Sequence, residues 1–392
     1  MTRRPLKLGV FYVILLVFSF FNGYSQDVKQ KLDSITGDVI EDIYLNTPED
    51  AAKKRKDSLS RFSFNAYPYI FSSPETKLAF GGGGIMILYA GKGLDLRPSK
   101  VEFGGYYSVN NQYRININPQ FFFLENKLYV EMPTSYGFFV NKYWGIGDSA
   151  PDYEDAEYAI ETFDITLSTQ VPPLLFSADR TGLILSYEDS KVVDKRSNEL
   201  IMNDSLPGSN GAKLFGLGLN LVWDSRDNLF YPNSGRYQSL KILLYPEPSD
   251  YVYSMVEFDA RAYKAFSQDQ VLAINLYAQT VLGDTPFFKL PALGGKNRMR
   301  GYFNGRYRDN FYGMLQAEYR QYFWKRFGFV AFAGMGNVSN TLIEYKFNTM
   351  KYSFGGGLRY LMNKKQKVNL RMDIGITGDG TTGIYFGIQE AF

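Results

Sequence analysis

From Arg61 onward, apolar and polar residues alternate with a period of two, in sixteen segments of about ten residues each. In the last segment Thr382, Ile384, Phe386, Ile388 and Phe392 fall on one face, and Gly383, Tyr385, Gly387, Gln389 and Ala391 on the other. Residues 368–376 set Val368, Leu370, Met372, Ile374 and Ile376 against Asn369, Arg371, Asp373 and Gly375. Residues 252–262 place Glu257, Asp259 and Arg261 together on the polar side. Side chains of a strand point alternately to its two faces, so each segment has one greasy and one wet surface. Strands of that kind fit a cylinder with lipid outside and water within. The pattern therefore predicts an all-β protein, a 16-stranded antiparallel transmembrane β-barrel. Its strands are expected near 62–71, 77–90, 100–109, 113–124, 127–138, 157–170, 175–188, 212–224, 235–246, 251–265, 270–282, 310–323, 326–337, 350–361, 366–377 and 382–392. Short links such as Glu125-Asn126 and Lys364-Lys365 alternate with long ones at 139–156, 189–211, 284–309 and 338–349, which fits periplasmic turns and extracellular loops.

Composition supports this reading. The 31 Tyr and 32 Phe suit a barrel with aromatic girdles at its two interfaces. Residues 1–25 read as a signal peptide: Arg3, Arg4 and Lys7 precede an apolar stretch from Leu8 to Phe21, and Gly23 and Ser25 supply a cleavage site. After it no run of 18 apolar residues occurs, so helical spans are not expected. Residues 26–61 form a short polar segment with a basic cluster, Lys53 to Lys56, expected in the periplasm. The whole chain holds 43 basic and 40 acidic residues; without the three basic residues of the leader it is neutral, so no nucleic-acid partner is expected. There is no Cys and no His, which removes disulfides, the usual general base and the commonest transition-metal ligand. No enzymatic activity and no cofactor are expected. Gly81 to Gly84 resemble a phosphate cradle only superficially, because no Lys-Ser/Thr and no helix follow.

Three stretches stand outside the alternation or add to it. The loop at about 284–309 carries Lys289, Lys296, Arg298, Arg300, Arg306 and Arg308 against Asp284 and Asp309. If such a loop enters a lumen, its charges need partners there. Arg300 offers a planar fork of donors, and Gly301 permits a sharp turn beside it. Alternation places Tyr312, Met314, Gln316, Glu318 and Arg320 on one face of strand 12, which makes Glu318 the leading carboxylate for Arg300. The second stretch, Asp224-Ser225-Arg226-Asp227-Asn228 with Pro232 and Gly235, reads as a structured turn between strands 8 and 9. The third is Glu318-Tyr319-Arg320 with Gly328 to Gly336.

Together these stretches resemble the BamA/TamA superfamily of outer-membrane assembly barrels, the bacterial surface antigen family. Leu293-Gly294-Gly295 with Met299-Arg300-Gly301-Tyr302 is similar to the family's arginine-glycine-aromatic loop tip, and it follows strand 11, as in the family. The resemblance implies that this extracellular loop folds inward. It also implies a second carboxylate for the arginine on strand 13, where Gly334 stands here, so Asp259 or Asp373 is the expected substitute. Phe392 is expected to serve as a C-terminal assembly signal. Family members that assemble other barrels usually carry periplasmic POTRA domains; residues 26–61 are too few for one, so a POTRA-less member is expected. The implied function is insertion, assembly or translocation of proteins at the bacterial outer membrane, through a lateral seam between first and last strands. Outer-membrane lipid and other outer-membrane or periplasmic proteins are the expected partners. A passive channel or a non-catalytic accessory subunit are the competing readings.

Overall fold

The computed structural model describes residues 62–392, apart from 74–75, 89–96, 153–155, 174–177, 197, 203–204 and 365–366. The expected leader and the polar segment 26–61 lie outside the described residues, as does Lys365 of an expected turn. Phe64–Phe392 forms one compact unit. Its strands are β1 (Phe62–Ser73), β2 (Lys77–Leu88), β3 (Ser99–Ser108), β4 (Tyr113–Phe123), β5 (Leu128–Glu131), β6 (Thr134–Lys142), β7 (Glu157–Val171), β8 (Arg180–Asp194), β9 (Gly211–Asp224), β10 (Gly235–Tyr245), β11 (Tyr253–Ser267), β12 (Gln270–Gly283), β13 (Ala292–Leu293), β14 (Tyr307–Arg308), β15 (Phe311–Trp324), β16 (Phe327–Ser339), β17 (Lys351–Asn363), β18 (Val368–Thr377) and β19 (Thr382–Ile388). Seventeen of them make one antiparallel sheet, and β13 and β14 pair separately inside the long loop.

Sixteen strands were expected, and one splits. The fifth segment becomes β5 and β6 because Pro133 has no N–H to give the ladder. Both halves still face the same neighbours, β4 and β7. A second difference is β8, which runs on to Asp194 where a loop was expected from residue 189. The ladder continues there through polar pairs such as Glu161 with Lys191 and through Ile160 with Val192, which share one buried apolar cluster. A third is β19, which stops at Ile388 instead of 392; at Gln389 the backbone takes a positive φ of 66° and leaves the ladder.

Alternation sorts the two faces of the sheet cleanly. On β8, β9 and β10 the outward residues meet across the ladders, Leu183 with Leu219 with Ile242, and Leu185 with Leu217 with Leu244. All six stay 39–57% exposed, a continuous apolar belt that has no place in water. Phe323 and Trp324, each 57% exposed, mark the end of β15 as an interfacial girdle. On the inward face the same strand buries Tyr312, Met314, Gln316, Glu318 and Arg320. Among the described residues no helix is long and apolar enough to cross a membrane. The outward placement of Leu217 has a measurable consequence. Leu217→Arg should destabilise the protein in lipid vesicles by ~2–4 kcal/mol, well beyond Leu217→Ala, in urea unfolding followed by gel mobility. Equal costs would mean that Leu217 does not face lipid.

Candidate functional site

The loop from Asp284 to Asn310 folds onto the inner face of the sheet. β13 and β14 zip its base, and Gly295 N–H bonds to Tyr302 O near its tip. Leu293, Met299, Tyr302 and Tyr307 pack with Tyr277, Tyr312, Met314 and Val338. Arg300 at the tip is 1% exposed. Its Nη2 donates to Glu318 Oε2 at 2.7 Å and its Nη1 to Asp373 Oδ2 at 2.6 Å. The guanidinium lies 3.5 Å from the centroid of the Phe332 ring. Phe332 sits directly opposite Glu318 in the β15–β16 register, so platform and carboxylate come from one cross-strand pair.

The backbone beside Arg300 needs unusual room. Gly301 has φ of 112°, and its N–H donates to the Tyr385 hydroxyl at 3.0 Å. On β18, Gly375 forms the notch that receives the tip: a Cβ there would come within 2.5 Å of Arg300 C and O. Gly334 plays a matching part on β16. Its missing side chain leaves space for the Met299 sulfur, which a Cβ would approach to 3.3 Å. A side chain at 334 would press on the Met299 sulfur, and the second acid here is Asp373 on β18. Asp259, the other candidate, is committed elsewhere, to Arg261 at 2.6 Å and Asn275 at 2.7 Å, with Arg298 at 3.7 Å.

Around Arg300 the charges form a network. Glu318 also accepts from Arg320 at 2.8 Å, and Asp373 from Arg359 at 2.6 Å and Arg371 at 3.5 Å. Arg359 holds Glu390 at 2.7 Å, and Arg320 donates to Phe392 O at 2.8 Å. The remaining basic residues of the loop find mixed partners. Lys289 pairs with Glu188 at 2.5 Å, and Arg298 stacks on Tyr277 at 3.3 Å. Arg306 lies over Trp144 at 5.0 Å and donates to Ala150 O; Arg308 donates to Phe287 O. Trp144 is thus buried against the loop.

The turn between β9 and β10 supplies a second inward element. Asp224 accepts from Arg226 at 2.8 Å and from Arg97 at 3.2 Å. Asp227 accepts the N–H groups of Asn233 and Ser234, and Gly235 has φ of 97°. Pro232 lines the cavity above the turn. Between these fixed ends, Leu229 and Phe230 project onto Ile85 and Ile87 of β2 and Val368 of β18, with Met362 and Ile388 alongside. β2 and β18 are far from β9 in the sheet order, so the turn reaches across the inside. A cavity of 740 Å³ lies over the turn, lined among others by Lys100, Lys241, Glu131, Glu257 and Phe392. Phe392 itself packs with Tyr263, Ala273 and Ala391 on the inner face.

A protein-family comparison now decides the lineage: the Omp85 superfamily domain matches residues 98–392. The chain belongs to the Omp85 superfamily. Among solved structures it is similar to BamA from Haemophilus ducreyi lacking POTRA domains 1–3, with a TM-score of 0.55 and 14% identity over 84% of this chain and 70% of that one. It is also similar to CdiB from Acinetobacter baumannii, with a TM-score of 0.50 and 12% identity over 83% of this chain and 59% of that one. No curated protein matches it by sequence. The fold is that of a BamA-like outer-membrane barrel.

Sequence reasoning paired Arg300 with Glu318, left Asp259 and Asp373 as alternatives for the second acid, and missed the parts of Phe332, Tyr385 and Gly375. The signal for Phe332 was an aromatic residue at an inward position of an Omp85 strand, where the alternation calls for a polar one. Removing one partner from a buried ion network leaves a charge uncompensated, at ~3–5 kcal/mol. Asp373→Ala should therefore lower stability in detergent by that order, and Asp259→Ala by clearly less, because Arg298 retains access to water. Comparable losses for the two would show that Arg300 is not held as described.

Proposed function

We propose that this Omp85 protein takes part in inserting or translocating other proteins at the bacterial outer membrane, using the edge between its first and last strands. The observation that carries this reading is the shortness of β19. It spans seven residues, against fourteen and fifteen for β12 and β11, which limits any ladder it makes with the first strand to that length. A short terminal ladder opens at lower cost than a long one. An edge freed in this way presents unpaired N–H and C=O groups that an incoming strand can match. Gly383 and Gly387 add little side-chain packing to it. The partners of such an edge are other outer-membrane or periplasmic proteins. No catalytic role is assigned to any residue.

A photo-crosslinking residue at Phe386, which faces outward, should capture newly exported outer-membrane proteins in growing cells. Depletion of the protein should also reduce those same proteins in outer-membrane proteomics. Normal levels of every other barrel after depletion would overturn the assembly reading and favour an accessory subunit.

The cavity of 740 Å³ raises the channel alternative, but the loop lies over it from one side and the β9–β10 turn from the other. A lumen filled in this manner should pass little current. In planar bilayers the wild type is expected to show small, flickering conductance and Arg300→Ala a larger one. A large, steady wild-type conductance would favour the channel.

A further inference from the structure

The turn between β16 and β17 packs on the outward face of β15 and β16 through Tyr345 and reaches Asp148 of the β6–β7 link through Thr349. Tyr312 and Met314 point inward to the loop cluster, so their neighbours Phe311, Gly313 and Leu315 point outward. Register places Ser339, Asn337 and Met335 beside them on the same outer face. Outward residues should be exposed, and Leu315 and Met335 are, at 41% and 38%. Phe311, Asn337 and Ser339 are instead buried. Residues 341–349 cover them. The Tyr345 ring meets Phe311 edge-on and its hydroxyl donates to Gly313 O at 2.9 Å. Gly313 makes that seat: a Cβ there would touch both rings, at 3.3 and 3.5 Å. Asn337 Nδ2 donates to Lys346 O at 3.1 Å and to Thr349 Oγ1 at 2.9 Å, and Ser339 Oγ to Thr341 O at 2.8 Å. Thr349 Oγ1 in turn donates to Asp148 Oδ2 at 2.6 Å.

A segment pinned so firmly still leaves its apolar tip uncovered. Leu342, Ile343 and Phe347 are 68%, 96% and 76% exposed. The height of the tip identifies what covers it. Gly313 stands ten residues along β15 from Phe323, the girdle residue of the other interface. A tilted transmembrane strand crosses the hydrocarbon in about 9–11 residues. The seat of Tyr345 is therefore level with the second interface. The apolar surface there is continuous with the lipid-facing wall, through Met335 and Leu315 to Tyr352 and Phe354, 54% and 52% exposed.

We propose that residues 341–347 form an interfacial clip that inserts Leu342, Ile343 and Phe347 into the outer leaflet of the membrane, at the boundary between headgroups and acyl chains. The partner is a lipid surface. Tyr345 sets the depth, the Asn337 and Ser339 bonds hold the clip to β16, and Thr349 ties its end to Asp148 of the β6–β7 link. Rigid apolar anchors at that boundary gain by leaving water and lose little conformational freedom.

The chain has no cysteine, so one introduced thiol carries a unique spin label. Ile343→Cys, labelled and reconstituted as the full chain in phosphatidylethanolamine–phosphatidylglycerol vesicles, should be relaxed more by oxygen than by a water-soluble nickel chelate. Leu315→Cys is the lipid-facing reference, and Ile146→Cys, in a long loop, the aqueous one. A label at 343 that behaves like the one at 146 overturns the clip. A label at 315 that is itself aqueous would instead refute the barrel placement. Tyr345→Ala provides the second variant: the label at 343 should lose at least half of its oxygen preference, and an unchanged preference would overturn the role of the Gly313 seat.

Discussion

A guanidinium with almost no access to water persists only where carboxylates reach it on fixed arms, and Arg300 has two. Glu318 and Asp373 come from β15 and β18, strands separated by two others, so the pair can form only once the sheet has curled to its final curvature. The interaction fixes the loop and also tests that curvature. Phe332 adds a π face to the third side. The glycines fall where this arrangement demands backbone contact. Gly375 lets the tip lie against β18, Gly301 turns the chain beside Arg300, and Gly334 yields space to Met299.

The inside of the barrel is thus filled by two elements of opposite chemistry. The loop is held by charge, by carbonyl acceptors and by aromatic faces. The β9–β10 turn is braced at its base by Asp224 and Asp227 but makes its far contact through Leu229 and Phe230, where Lys100 lies 5.2 Å from the Phe230 ring and no ion pair occurs among the described residues. Buried charges resist separation because each partner would be left desolvated, whereas an apolar tip can slide at modest cost. Any opening of the lumen starts more easily at the turn than at the loop.

Much of this was legible in the alternation, because a period of two is a direct record of which face each residue serves. It located fifteen segments as single strands and put Glu318 inward. It could not show the break at Pro133 as two strands serving the same neighbours, nor the extension of β8, where Asp189, Ser190 and Lys191 interrupt the apolar alternation before Val192. Asp259 and Asp373 were indistinguishable from the pattern, since both point inward. The structure commits Asp259, opposite Tyr277, to Arg261 on its own strand and to Asn275 on β12, and leaves Asp373 to Arg300. Phe392 was expected on the outer face of the last strand. The positive φ at Gln389 reverses that phase, and nothing in the alternation announces it.

That reversal ties the last strand to the loop. Glu390 is held by Arg359, which also holds Asp373, which holds Arg300. Phe392 O is held by Arg320, which also holds Glu318, the other partner of Arg300. Both acids of the loop tip therefore share their cations with residues 389–392. Withdrawing those residues would leave Arg359 and Arg320 each short of an acceptor and shift them toward Asp373 and Glu318. The grip on Arg300 must change in response, and by linkage a change at Arg300 must alter the hold on residues 389–392. Contiguous ion pairs thus join residues 389–392 to the inward loop, and each end of the network helps to hold the other.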